Sequence, residues 1–132
     1  MAAYLSRQPS AEALWHGAAG GAFFEGFIVM EAVKTFLARG LRPNLYYWRS
    51  HDGLEVDLLV EIGGKLYSVE IKQTATPMAG HIQPLLRWQQ IIGPTICGES
   101  ILVCCVQKPT EVASGVLALP WRDFHNWLAQ RL

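Results

Sequence analysis

The sequence carries no net charge, few charged residues and no long hydrophobic run, and each lack excludes a class of function. Eleven Lys and Arg balance eleven Asp and Glu, and charged residues make up only 17% of the 132. A chain so balanced is not a tight, purely electrostatic nucleic-acid binder, although a local basic groove is still open to it. The longest apolar run, Ile101 to Val106, is strand-sized and far short of the roughly 18 residues of a membrane span. No membrane partner is expected. No basic stretch followed by an apolar one opens the chain, so no secretory leader is expected either. Cysteine is scarce, with only Cys97, Cys104 and Cys105. An odd number, two of them adjacent in an apolar run, does not read as a disulfide framework, and no Cys-x-x-Cys pair suggests zinc. These are expected to be buried free thiols of a cytoplasmic protein.

What is present is core. Hydrophobic residues reach 51%, enough for one compact domain over residues 1–132. Before Gly17 the chain reads as short helical pieces broken at Pro9, with Ser10 as N-cap of Ala11–Trp15. Gly17, Gly20 and Gly21 form a joint. A helix is expected over Ala22–Arg39, stopped by Gly40 with Pro43 beyond. Strands are expected at Leu45–Ser50, Leu54–Ile62 and Lys65–Lys72, with turns at His51-Asp52-Gly53 and Gly63-Gly64. A loop over Thr74–Gly80 leads to a helix over Pro84–Ile92. Strands at Ser100–Val106 and Val116–Leu119 and a closing helix over Trp121–Leu132 follow. This order predicts an α/β fold with a sheet of mixed strand direction.

The hairpin carries the chemistry. With Gly63-Gly64 as a two-residue loop, Ile62 pairs with Lys65. Asp57 then falls opposite Glu70, and Glu55 opposite Lys72. Directly opposed residues share a face, so these four form one polar quartet. The other face, Val56, Leu58, Val60, Tyr67, Val69 and Ile71, is expected to be core. Two opposed carboxylates repel, and the simplest compensation is a cation between them. An oxygen-rich site suits Mg²⁺ or Mn²⁺ better than zinc. Lys72, two residues from Glu70, is placed to stabilise an anion or an ion-bound water. Helical spacing puts Glu25 on an apolar stripe with Val29, Ala32, Val33 and Phe36, whereas Glu31 sits by Lys34 and Thr35 in a solvated setting. Alone, Glu25 reads equally as a structural glutamate. Beside Asp57, Glu70 and Lys72 it reads as part of an acidic cluster. An exposed ion pair with Lys72 would account for Glu55.

Glu25, Gly53-Leu54-Glu55-Val56-Asp57 and Glu70-Ile71-Lys72 together resemble the PD-(D/E)XK nuclease-like superfamily. With Ala2-Ala3-Tyr4-Leu5, Gly21-Ala22-Phe23-Phe24-Glu25 and Leu45-Tyr46-Tyr47-Trp48-Arg49, the chain more narrowly resembles the uncharacterised C-terminal domain of archaeal-type AAA-family ATPases. The resemblance implies a restriction-endonuclease-like mixed sheet flanked by helices. It implies that Asp57 and Glu70 hold Mg²⁺ or Mn²⁺, that Lys72 serves the attacking water or the transition state, and that Glu25 completes the acidic cluster. The implied reaction is phosphodiester hydrolysis of nucleic acid. The implied alternative is a non-catalytic regulatory or interaction domain working with an upstream or separate AAA-family ATPase module. No G-x-x-x-x-G-K-[ST] occurs, so the chain is not expected to hydrolyse ATP itself. Its start resembles the interior of the family's domain, which suggests truncation on the N-terminal side.

Weaker candidates carry plainer readings. Arg49 is placed to contact phosphate, with neighbouring aromatics to stack on bases, or belongs to an ordinary edge strand. Gln73, Thr74 and Thr76 would bind phosphate or form a polar loop. Gln89 would face the cleft or lie on a surface helix with His81 and Gln83. His16, His51 and His125 lack ligand spacing. Trp121, Phe124, Trp127 and Leu128 read as core, or as a surface for a missing domain.

Overall fold

In the computed structural model, residues 20–132 are described, so the helical pieces expected before Gly17, with His16, lie outside the described residues. Helix α1 is Gly20–Ala38. It begins two residues before Ala22, so Gly20 and Gly21 belong to its first turn and not to a joint. Its end is a Schellman motif: Leu41 N–H donates to Phe36 O at 3.0 Å and Gly40 N–H to Leu37 O at 2.9 Å. Gly40 takes φ +68°, the left-handed conformation that glycine adopts without steric cost.

Six strands make one mixed sheet in the order β1-β2-β3-β4-β6-β5. They are β1 Leu45–Arg49, β2 Glu55–Ile62, β3 Lys65–Ile71, β4 Ser100–Cys104, β5 Thr110–Ala113 and β6 Val116–Pro120. The hairpin β2–β3 pairs Ile62 with Lys65 and runs in register to Leu58 opposite Val69. Gly63 and Gly64, at φ +59° and +80°, supply the two positive values that a type I′ turn requires. β3, β4 and β6 are mutually parallel, whereas β1–β2, β2–β3 and β5–β6 are antiparallel. The four-residue β5 was not anticipated. Pro109 precedes it and a bulge between Glu111 and Ala113 breaks its alternation, leaving too short a pattern to read.

Both faces of the sheet are covered. On one, Phe24, Ile28, Ala32 and Phe36 of α1 and Phe124 and Leu128 of α3 (Phe124–Ala129) pack on Leu58, Val60, Val69, Ile71, Ile101 and Val103. The closing helix is shorter than expected, because a 3₁₀ turn over Trp121–Asp123 precedes it. Phe124, Trp127 and Leu128 are buried as the spacing predicts, and Trp121 packs against the same core. On the other face lies α2, Ala79–Ile92. It begins five residues before Pro84, taking in the end of the expected loop. Met78 N–H donates to His81 Nδ1 at 3.0 Å, which closes the first turn. Leu85 of α2 packs with Leu102, Cys104, Val116 and Ala118, and Trp88 packs with Val56 and Leu59. The three cysteines are free thiols, as expected, although only Cys104 is fully buried. Among the described residues no helix is long and apolar enough to cross a membrane.

Gly98 tests this packing. A Cβ there would lie 2.7–2.9 Å from ring carbons of Tyr67. That ring meets Trp127 edge-on at 5.7 Å and has little freedom to retreat. Gly98→Ala should destabilise by about 1–3 kcal/mol in denaturant titration. Gly21→Ala, where nothing lies within 4 Å, should be neutral or stabilising. Equal stability of the Gly98→Ala protein and its parent would mean that the Tyr67 ring is not fixed.

Candidate functional site

The β2–β3 ladder stops at Leu58 and Val69, one pair short of Asp57 and Glu70. Beyond it, side chains take over from backbone pairing. Ile71 N–H donates to Asp57 Oδ2 at 2.8 Å. Asp57 N–H lies 3.4 Å from Glu70 Oε1 in a long reciprocal hydrogen bond. Each carboxylate thus reaches across to the backbone of the opposite strand, which leaves Asp57 close enough to act on the Glu70 carboxyl. The quartet on a single face does not form. Alternation along β2 slips between Val56 and Leu58: Val56 turns to the α2 side with Leu59 and Trp88, while Leu58 and Val60 face α1. The slip is a bulge in β2: between the pairs Tyr46–Leu59 and Trp48–Val56, Asp57 and Leu58 stand opposite Tyr47 alone. Val56 is therefore core, but on the face opposite to the one expected.

The consequence is electrostatic. Glu70 is 5% exposed, and its carboxyl is pushed from 4.5 up to about 8. Burial is the main cause, followed by the charge of Asp57 and the hydrogen bond with it, against the pull of Lys72. Glu25, half-buried on α1, is also raised: burial leads, Asp57 and Glu55 add, and Lys72 opposes. The fold thus brings Glu25, Asp57, Glu70 and Lys72 within electrostatic reach of one another. Glu25 lies on the flank of the α1 core stripe, which runs through Phe24, Ile28, Ala32 and Phe36. With Val29, Leu45, Tyr46, Tyr47, Asp57 and Leu58 it lines a cavity of about 330 Å³.

The donor set suits a hard cation. The converging groups are all carboxylate oxygens, and a divalent ion would relieve the repulsion that raises Glu70 and Glu25. Among the described residues no group of three His, Cys, Asp or Glu side chains is close enough to hold an ion unaided. Asp57 and Glu70 could supply two ligands, with water or substrate oxygens filling the rest, which is how Mg²⁺ is commonly held.

The remaining sequence candidates divide. Glu55 pairs with Arg49 at 3.4 Å, not with Lys72, because the ladder that would bring Lys72 opposite has ended. Arg49 is thereby engaged, beside the site. Thr74 Oγ1 accepts from Thr76 N–H at 3.2 Å, and Thr74 O accepts from Cys105 N–H at 2.8 Å, fastening the loop after β3 to the end of β4. Gln89 does not face the carboxylates. Its Nε2 donates to Ser100 Oγ at 2.9 Å and Gly115 O at 3.0 Å, at the opposite end of the parallel strands. There it lines a larger cavity of about 430 Å³ with Cys97, Gly98 and Glu99. Glu31 pairs with Lys34 at 3.1 Å, as its setting predicts. His125, expected to be incidental, bonds Thr35 Oγ1 at 2.7 Å and joins α3 to α1. Tyr47, two residues from Leu45 on β1 and so on the same face, lines the cavity with it, although the sequence did not single it out.

The family described as a domain of unknown function, DUF4143, matches over residues 20–124. Two curated relatives, uncharacterised proteins of Mycobacterium bovis and Mycobacterium tuberculosis, are each 48% identical over 58 residues, which is 43% of this chain. The match spans 12% of the length of each relative.

Glu70 makes stability depend on pH. Its folded-state pKa lies above the unfolded value, so its contribution is complete below about 4.5 and is lost as pH rises through about 8. In chelator, the thermal midpoint of the parent should fall between pH 5 and pH 8.5. Glu70→Gln, neutral throughout, should show a shallower fall and melt higher than the parent at pH 8.5. Parallel profiles for the two proteins would refute the buried-carboxyl assignment.

Proposed function

The chain belongs to the DUF4143 family of domains of unknown function, and on that footing we propose that it is a metal-dependent phosphodiesterase of the PD-(D/E)XK nuclease-like type, acting on nucleic acid. The observation that supports this reading is the reciprocal crossing of Asp57 and Glu70, which sets a half-buried carboxyl beside a buried one. A fold gains no stability from such a pair unless a cation or a shared proton relieves it. In this reading Asp57 and Glu70 hold Mg²⁺ or Mn²⁺. When bound, the ion would lower the pKa of a coordinated water and polarise a phosphoryl oxygen. Lys72, within electrostatic reach of Glu70, orients the attacking water and offsets charge building on the phosphate. Glu25 closes the acidic rim from α1, its carboxyl raised by burial and by the charge of Asp57. The free thiols suit a cytoplasmic setting.

A second reading has its own support. Phe27, Met30, Leu37 and Leu41 are 37%, 54%, 59% and 41% exposed on and just after α1. An apolar stripe of this kind suits a non-catalytic interaction domain docked on an AAA-family ATPase module, which the family resemblance also favours.

Cleavage of DNA and RNA in Mn²⁺ separates the two. Asp57→Ala and Lys72→Ala should each lower the rate by about 10²-fold or more. Mg²⁺ or Mn²⁺ should raise the thermal midpoint of the parent but not of Asp57→Ala, since only a native-state site responds in this way. Equal rates in all three proteins would remove the nuclease reading and leave the interaction domain.

A further inference from the structure

Among the described residues β1 is an edge strand, paired only with β2. Alternation puts Tyr47 on the face of Leu45, and both line the cavity that also holds Glu25 and Asp57. Between the pairs Tyr46–Leu59 and Trp48–Val56, the extra residue is in β2, so Asp57 and Leu58 stand opposite Tyr47 alone. A bulge of this kind beside reactive groups sets one aromatic ring next to the acidic side chain. The three aromatics of β1 then have different fates. Trp48 turns inward to Trp88, with ring centroids 4.9 Å apart. Tyr46 donates its hydroxyl to Glu61 Oε1 at 3.2 Å. Tyr47 is 62% exposed, with the Glu55 carboxylate among the charges near it.

Charge cannot supply the grip on a polyanion here. Glu25, Glu55, Asp57 and Glu70 outnumber Lys72 and Arg49 around the cavity, and Arg49 is already paired with Glu55. The whole chain is neutral. What the rim does offer is an exposed aromatic face, which every base can stack upon.

We propose that Tyr47 is a substrate-binding residue that stacks on an unpaired base next to the phosphate at Asp57, so that the substrate class is single-stranded nucleic acid. This rests on the nuclease reading above. Most of the affinity then comes from bases and little from counterion release, so binding varies only weakly with salt.

The test is fluorescence anisotropy of a labelled single-stranded oligonucleotide and its abasic counterpart of equal length, with Ca²⁺ as the divalent ion. Tyr47→Ala should weaken binding of the normal strand by about 5- to 150-fold, while Tyr47→Phe and Tyr47→Trp stay near the parent. The abasic strand should bind weakly and equally to all four proteins. Thermal midpoints should match, since the ring contributes little to the core. Unchanged affinity of Tyr47→Ala for the normal strand overturns the inference alone, as does an equal loss on the abasic strand. Failure of the parent to bind either strand overturns the inference together with the reading beneath it.

Discussion

One hydrogen bond decides the geometry of this molecule: Ile71 N–H to Asp57 Oδ2. A strand amide that would otherwise pair with a backbone carbonyl is satisfied instead by a carboxylate from the neighbouring strand. An unpaired buried amide would be costly, so the aspartate is structural whatever else it does. The bond also sets where the carboxyl stands, with one oxygen held and the group turned toward Glu70. Regular pairing ends there, and the bulge of β2 against β1 falls within the same few residues. The irregularity is concentrated where the chemistry is proposed, and the sheet beyond it is orderly.

Much of this was legible in the sequence because local rules coincide with the tertiary solution. Two glycines between alternating strands fix a type I′ turn, and the turn fixes the register of the five pairs that follow. Gly40 stops α1 because its backbone closes a Schellman motif. Asp57 and Glu70 were likewise found by counting back from the turn. Counting failed where alternation failed. It placed Val56 on the wrong face and paired Glu55 with Lys72. No pattern in Leu54–Asp57 announces the slip, since it arises when Asp57 takes the Ile71 amide and the strands part. Tyr47 keeps the face of Leu45 by plain alternation, but its place opposite Asp57 and Leu58 depends on that slip.

The proposed site also lies where the sheet changes character. β3 is antiparallel to β2 on one side and parallel to β4 on the other. At the end of β3 the chain must leave toward α2, and the loop carrying Thr74 is fastened to Cys105 at the same end of β4. Glu70 and Lys72 thus project from the end of a strand gripped on both sides, while Asp57 comes from neighbouring β2 and Glu25 from α1 over the sheet face. Rigid support beneath and access above is the arrangement a reacting site needs.

A cavity elsewhere makes the contrast. The one at Gln89 and Glu99 is lined by groups that have already met their needs. Gln89 bridges β4 and β6, and Glu99 is held by Arg131 at 3.1 Å, with the guanidinium over the Trp127 ring at 4.2 Å. Removing solvent there would relieve nothing. The smaller cavity borders Glu25, whose proton affinity is raised by burial and then by Asp57, so a cation arriving there lowers the free energy of the fold itself. Unresolved electrostatic conflict, not volume, distinguishes a place where a ligand has something to do.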